Sequence, residues 1–398
     1  MRNPEARRAR RILAGWRCAL ALAAAVLPLH ALAAPPLSAA ASLGRRLFFD
    51  ASLSASGRLS CASCHDPRHA HAPANALAVQ LGGPALDRPG LRAVPSLRYL
   101  ERNRPLLLGR DGSASGGYNW DGRAPTLAAQ AAGPLLAPNE MANASPAAVV
   151  ARLRRAPYAA QFRRVFGASI LRRPRAAFAR LTYALQQYQL ESRDFHPYDS
   201  KFDHVLAGRA RLTPAEARGR RLFEDKRKGN CAACHSSAAG ADGRPPLFTD
   251  FTYDSAGAPR NGAIAANAAD RYFDLGLCGG GPGRQAGLCG KFRVPTLRNV
   301  ATRRVFFHNG VFASLREVLE FYARRDTEPQ RWYRPGAGGA PQLFDDLPPE
   351  MRANVNRSEV PYDRRPGMAP ALDAAEIADL LRFLATLNDG FRPARRGK

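Results

Sequence analysis

The 398-residue sequence predicts a mainly helical chain of two cytochrome c-like domains in tandem, related by internal duplication. Three observations carry that prediction. A Cys-x-x-Cys-His run occurs twice, the residues around each copy repeat, and helix-start signals precede apolar stripes at helical spacing while no β-rich segment is evident. The two runs are Cys61-Ala62-Ser63-Cys64-His65 and Cys231-Ala232-Ala233-Cys234-His235. This spacing lets two thiols bond one porphyrin while the His ligates its iron, so the chain reads as carrying two covalently bound haem c groups. A bare Cys-x-x-Cys also fits a redox dithiol or half a zinc site, but the His that follows both copies argues against each.

The repeat extends beyond these runs. Gly44-Arg45-Arg46-Leu47-Phe48 precedes the first and Gly219-Arg220-Arg221-Leu222-Phe223 the second. Val94-Pro95-Ser96-Leu97-Arg98 follows the first and Val294-Pro295-Thr296-Leu297-Arg298 the second. A third pair, Trp120-Asp121-Gly122 with Thr126-Leu127 against His308-Asn309-Gly310 with Ser314-Leu315, keeps one offset of 188 residues.

Along the chain, Arg7, Arg8, Arg10 and Arg11 precede the apolar run Ala19 to Leu29, and Ala31-Leu32-Ala33 fits a small-x-small cleavage site. Residues 1–33 therefore read as a secretory signal, which implies a periplasmic protein with no stable membrane insertion after cleavage, an uncleaved membrane anchor being the alternative. Residues 34–199 then form the N-terminal haem domain and residues 200–398 the C-terminal one, with Phe195-His196-Pro197-Tyr198 at the connection. Arg175 to Leu190 is a helical candidate. Thr213-Pro214-Ala215-Glu216 supplies an N-cap, a Pro at the first helical position and a capping-box Glu, and it launches the helix of Leu222 and Phe223. Near the end Asp373 and Glu376 form a second capping box, after which Ile377, Leu380, Leu381, Leu384 and Leu387 line one face.

Cysteine usage agrees with an oxidising compartment. Of the seven cysteines, Cys18 leaves with the signal and four take haem, so Cys278 and Cys289 remain around the stretch Gly279-Gly280-Gly281-Pro282-Gly283. A disulfide closing that loop is expected, with two free thiols as the alternative. The formal charge is +26, and losing the six Arg and one Glu of the first 33 residues leaves +21. Such a balance favours an acidic protein partner through long-range steering. Only five of the 59 basic residues are Lys, so a compositional preference for Arg explains part of it, and a secretory signal argues against nucleic acid.

The chemistry depends on the sixth position of each iron. The 188-residue offset sets Tyr322 opposite Pro134, whose side chain cannot ligate iron. One site is then open and the other closed by a phenolate, a ligand that stabilises oxidised iron. Taken alone, a Tyr after Phe321 is more often a core aromatic.

These residues resemble the bacterial dihaem cytochrome c peroxidase and MauG family. The resemblance rests on Trp120-Asp121-Gly122-Arg123, Gln130, Gly133-Pro134, Glu140-Met141, the run Val294 to Asn299, and Phe307-His308-Asn309-Gly310. It implies that the N-terminal haem is peroxidatic, with Gln130 and Glu140 on its distal side, that Trp120 lies between the haems as an electron relay, and that the C-terminal haem handles electrons. Tyr322 falls where MauG-like members carry their distal Tyr and typical peroxidases a Met. Outside the resemblance, Glu140 also fits a surface carboxylate near a helix start, and Trp120 a core aromatic.

Two departures from the family pattern bear on function. Typical peroxidases carry a loop His that blocks the peroxidatic iron until the other haem is reduced, whereas Leu77 to Ala93 contains none. His69 and His71 follow the haem His so closely that solvent-facing or propionate-bonding roles are expected of them rather than ligation. The family also binds calcium through an Asn just before the Pro-Ser/Thr-Leu run. Here that position is Ala93, and Arg303 and Arg304 oppose a cation, so the sequence argues against calcium. The first functional expectation is reduction of hydrogen peroxide to water with electrons from a small redox protein. The second is MauG-like, peroxide-dependent oxidation of a side chain in a partner protein. The third is a non-enzymatic dihaem electron carrier, which requires both irons to be six-coordinate.

Overall fold

The computed structural model describes residues 35–240, 242–268, 272–279 and 285–393, and the expected signal segment lies outside them. Ten α-helices in this part set the architecture: α1 Ala39–Phe49, α2 Cys61–Cys64, α3 Leu127–Leu136, α4 Pro146–Leu153, α5 Ala159–Phe166, α6 Pro174–Glu191, α7 Lys201–Leu206, α8 Pro214–Glu224, α9 Leu315–Arg324 and α10 Ala374–Ala385. Among the described residues strand structure is confined to three antiparallel pairs of two-residue strands, Leu81–Gly82 with Arg88–Pro89, Leu107–Leu108 with Ala114–Ser115, and Tyr253–Asp254 with Phe292–Arg293. No described helix is long and apolar enough to cross a membrane.

The two largest apolar cores divide the chain between Phe195 and Phe202, one drawing on residues 43–195 and the other on residues 202–387. Each is organised by a pair of helices that cross at a glycine. A Cβ on Gly44 of α1 would stand 1.9 Å from the Ala184 carbonyl oxygen of α6, and one on Gly219 of α8 would stand 2.1 Å from that of Asp379 on α10. Any larger residue would push the helices apart, which is why each Gly-Arg-Arg-Leu-Phe run begins as it does. Both crossing helices of the second half start from the capping boxes read in the sequence, at Thr213 and at Asp373. Phe383, fully buried on α10, joins the stripe of Ile377, Leu380 and Leu384.

The internal offset reappears as geometry. Helices α3 and α9 each span ten residues, begin 188 positions apart, and are capped by the hydroxyls of Thr126 and Ser314. The turn before each helix closes with an isolated bridge at the same offset, Tyr118 to Ala124 and Phe306 to Phe312. Gly122 and Gly310 occupy that turn with φ of +69° and +62°.

The segment after Phe195 is held in place by the surrounding structure. The Phe195 carbonyl accepts from the Tyr99 N–H at 2.8 Å, and the Tyr198 hydroxyl donates to Glu101 at 2.6 Å. Asp389 then draws the two repeats together, accepting from Tyr99 Oη at 2.5 Å, Arg98 at 2.8 Å and Asn299 Nδ2 at 2.6 Å. Cys278 and Cys289 form a disulfide.

Candidate functional site

The first Cys-x-x-Cys-His run is a single helical turn, α2, begun by a capping box between Ser60 and Ser63. It ends at His65, whose ring Nδ1 lies 3.1 Å from the His71 carbonyl oxygen. A carbonyl can only accept, so Nδ1 carries the proton and Nε2 is left with its lone pair for a metal. The second run reproduces this arrangement on a 3₁₀ turn, Cys231–Ala233, with His235 Nδ1 2.9 Å from the Phe248 carbonyl oxygen. Each acceptor is itself fixed by the Val-Pro-x-Leu-Arg run. Leu97 N–H also donates to His71 and Leu297 N–H to Phe248, while Ser96 and Thr296 hydroxyls each donate at 2.6 Å to the preceding carbonyl. Each run sets two cysteines beside a His, and the two His present the ligating nitrogen in the same way, so these residues fit two haems.

The likeness between the halves explains His71, which was expected to face solvent or a propionate. Its ring is fully buried, stacked on Phe195 with centroids 4.0 Å apart and edge-on to Phe48. It occupies the place Phe248 holds in the other half, with φ of +53° against +54°, and acts through its carbonyl while the ring serves as core. His69 is half-buried, with Nδ1 3.4 Å from Asp66.

On the N-terminal side α3 carries Gln130 and Pro134, and the chain folds back over the helix end. Met141 N–H donates to the Pro134 carbonyl at 3.0 Å and Asn143 N–H to that of Leu135 at 3.2 Å. This return presents Glu140. Burial first, and the Glu140 charge among the lesser causes, push the Cys61 thiol up to about 12 and the Cys64 thiol up to about 11. Glu140 itself is accessible to solvent, yet the protein around it desolvates the carboxyl enough to raise it above the ordinary range, with Arg123 opposing. The loop without His packs onto its backbone: a Cβ on Gly82 would lie 2.3 Å from the Asn139 carbonyl oxygen, and Gly83 N–H donates to the Glu140 carbonyl at 2.8 Å.

On the C-terminal side a large cavity is lined by Cys231, Cys234, His235 and Tyr322. Tyr322 projects from α9 between Phe307 and Tyr362, its ring centroid 5.8 Å from each. The same cavity reaches Trp120, Pro95 and Ala70. Trp120 is fixed at both ends. Its indole N–H donates to the Ala93 carbonyl at 2.8 Å, and its own carbonyl accepts from Arg293 N–H at 2.8 Å.

Around Ala93, where the resemblance implies a calcium ligand, the residues do not fit a cation. The Ala93 carbonyl is taken by Trp120, that of Val94 accepts from Arg303 at 3.0 Å, and Arg92 binds Asp121 and Asp274 at 2.7 and 2.6 Å. Sequence reasoning missed the carbonyls of His71 and Phe248, which carry no side-chain signature. It also missed Tyr362, which has no counterpart in the internal repeat.

Residues 38–211 match a family model described as di-haem cytochrome c peroxidase. Over 365 residues the chain is 35% identical to the methylamine utilization protein MauG of Paracoccus denitrificans, covering 90% of each. Over 288 residues it is 30% identical to the cytochrome c551 peroxidase of Nitrosomonas europaea, covering 71% of this chain and 72% of that one. The diheme peroxidase BthA of Burkholderia thailandensis has a similar crystal structure, with a TM-score of 0.82 at 41% identity over 90% of this chain and 87% of that one.

Proposed function

The chain belongs to the dihaem cytochrome c peroxidase and MauG family, and we propose that it is a periplasmic enzyme reducing hydrogen peroxide to water at its N-terminal haem. Electrons reach that site through the C-terminal haem from a small, acidic redox protein. One observation carries this reading. On two helices related by a single offset, Pro134 stands in the N-terminal half and Tyr322 in the C-terminal half, so at this shared position only the second half carries a side chain able to ligate iron.

Covalently held haem, when bound, supplies iron that takes up and stores the oxidising equivalents of peroxide. The chain supplies the proton traffic and the geometry. Glu140 takes a proton from one peroxide oxygen and returns it to the other, so that the departing oxygen leaves as water; a carboxyl raised by its surroundings suits both halves of that task. Gln130, one turn before Pro134 on α3, is a hydrogen-bonding group for the peroxide oxygens. Trp120, pinned through its indole N–H, relays electrons between the halves, and an indole whose proton is held in a hydrogen bond recovers its starting state after each transfer. His235 and Tyr322 are the residues that would hold the C-terminal haem iron, and a phenolate ligand there would favour its oxidised state.

The likeness to MauG over nine-tenths of both chains supports a second reading, peroxide-dependent oxidation of a side chain in a partner protein. Stopped-flow mixing of the fully ferric protein with peroxide, followed by a reduced acidic redox protein, tests both. Reaction without prior reduction, and steady turnover of the donor, is the expected result. Reaction only after one-electron reduction overturns the open-site reading, and reaction without donor turnover favours partner modification.

A further inference from the structure

The arginines on and beside the cavity differ in their partners. Arg298 binds Asp203 at 2.8 and 2.9 Å, and Arg92 is shared by Asp121 and Asp274. Arg293 and Arg303 do not. Both line the cavity that holds His235 and Trp120, and among the described residues neither has a carboxylate within ion-pair distance. Their donors go to main-chain carbonyls instead: Arg293 Nε to Asn119 at 3.2 Å, and Arg303 Nη2 to Val94 at 3.0 Å. Burial pulls the Arg303 guanidinium down to about 10 with nothing to offset it, and the same cause lowers Arg293. A guanidinium held in an apolar cavity without a counter-anion costs several kcal/mol. Both are tied to the chain around Trp120: the Arg293 main-chain N–H donates to the Trp120 carbonyl, its Nε reaches the carbonyl of the preceding residue, and Arg303 grips the carbonyl next to the one that holds the indole.

We infer that Arg293 and Arg303 are the anion-binding pair of the C-terminal haem site, each receiving one of the two carboxylates that a haem carries. The number of unpaired cations matches the number of haem carboxylates, and both face the cavity that presents Cys231, Cys234 and His235. The pair also ties the haem to the segment Ala93 to Pro95, which backs His65, and to Trp120, so the relay is positioned by the charges that hold the cofactor. Arg303 then serves as the fixed cation at the junction where the family resemblance implies a metal ion. Arg293 and Arg303 are positioning residues, and they act through the haem and through Trp120.

The inference rests on two haems being attached, so haem content by the pyridine haemochrome assay comes first. A protein carrying fewer than two haems would defeat the dihaem reading itself, independently of the roles of Arg293 and Arg303. With both haems present, redox titrations of the wild type, Arg293→Gln, Arg303→Gln and the corresponding Lys variants test the pair. Removing a nearby cation disfavours the reduced, less positive iron, so each Gln variant should lower the C-terminal haem potential by about tenfold in its reduction equilibrium, about 59 mV. The Lys variants, which keep the charge, should stay near the wild type. Dialysis against EDTA and return of calcium should move nothing. Gln variants with wild-type potentials, Lys variants shifted as far as Gln, or a shift on chelation that calcium reverses would each overturn the assignment.

Discussion

The N-terminal and C-terminal halves solve the same local problem with the same backbone and then diverge at a few side chains. Both cross two helices at a glycine, both fix their ligating His through a main-chain carbonyl, and both launch a ten-residue helix from a hydroxyl cap. The divergence falls where the chemistry is. Pro134 and Glu140 follow the helix start in one half; Tyr322, between Phe307 and Tyr362, follows it in the other. The two halves share the residues that present their Cys-x-x-Cys-His runs and differ in those expected to decide the chemistry.

Substitutions at the diverged positions should break the asymmetry, and those at the shared positions should not. The largest effect is expected at Glu140. Glu140→Gln keeps the shape and removes the proton acceptor, so the reaction with peroxide should slow by about 10²- to 10⁴-fold in stopped-flow measurements. The pH profile carries the sign. The carboxyl is raised by desolvation, and only its ionised form accepts the proton, so the wild-type rate should climb with pH through a value above the ordinary carboxylate range. The Gln variant should lose that limb; an unchanged rate and profile would assign the proton to another group.

The Arg of the Val-Pro-x-Leu-Arg run separates the halves in stability. Arg298 is fully buried against Asp203, whereas Arg98 reaches Asp389 from a partly exposed position. Asp203→Asn leaves a buried cation uncompensated and should cost about 3 to 5 kcal/mol in denaturant unfolding. Despite its burial, Asp203 is held below its ordinary value by Arg298 and Ser200. A depressed carboxylate contributes stability above its unfolded pKa, about 3.9, and loses it as pH falls through the folded one, so the C-terminal half should loosen in acid below that value. A flat acid profile for this half would contradict the assignment.

Tyr322→Met sharpens the comparison at the second site. Replacing an anionic phenolate with a thioether should raise the potential of the C-terminal haem by more than about tenfold in its reduction equilibrium, about 59 mV, and leave the peroxide reaction of the first site intact. Equal potentials would make Tyr322 a core aromatic. The smallest effect belongs to the shared scaffold: Thr213→Ala removes the cap of α8 and should cost about 1 kcal/mol in thermal unfolding without moving either potential.

Much of this was legible in the sequence because covalent attachment and helix capping are local. The Cys-x-x-Cys-His runs, the capping boxes at Thr213 and Asp373, and the pairing of Tyr322 with Pro134 depend on short spacings or on one offset. His71 was misjudged because its environment comes from residues far along the chain, above all Phe195; its kinship with Phe248 is visible only when the backbones are compared. The roles of the His71 and Phe248 carbonyls were out of reach for a deeper reason, since every residue carries a carbonyl. Likewise the contrast between Arg303 and Arg298 depends on whether a carboxylate arrives from elsewhere in the fold, and composition says nothing of that.

Electron paramagnetic resonance of the fully ferric, dihaem-loaded protein tests the asymmetry between the halves most directly. One high-spin signal from a site left open at Pro134 together with one low-spin signal from a site closed by Tyr322 is the predicted spectrum, and Tyr322→Met should alter the low-spin signal alone. Two low-spin signals, or a high-spin signal that responds to Tyr322→Met, would contradict the division of labour between the halves.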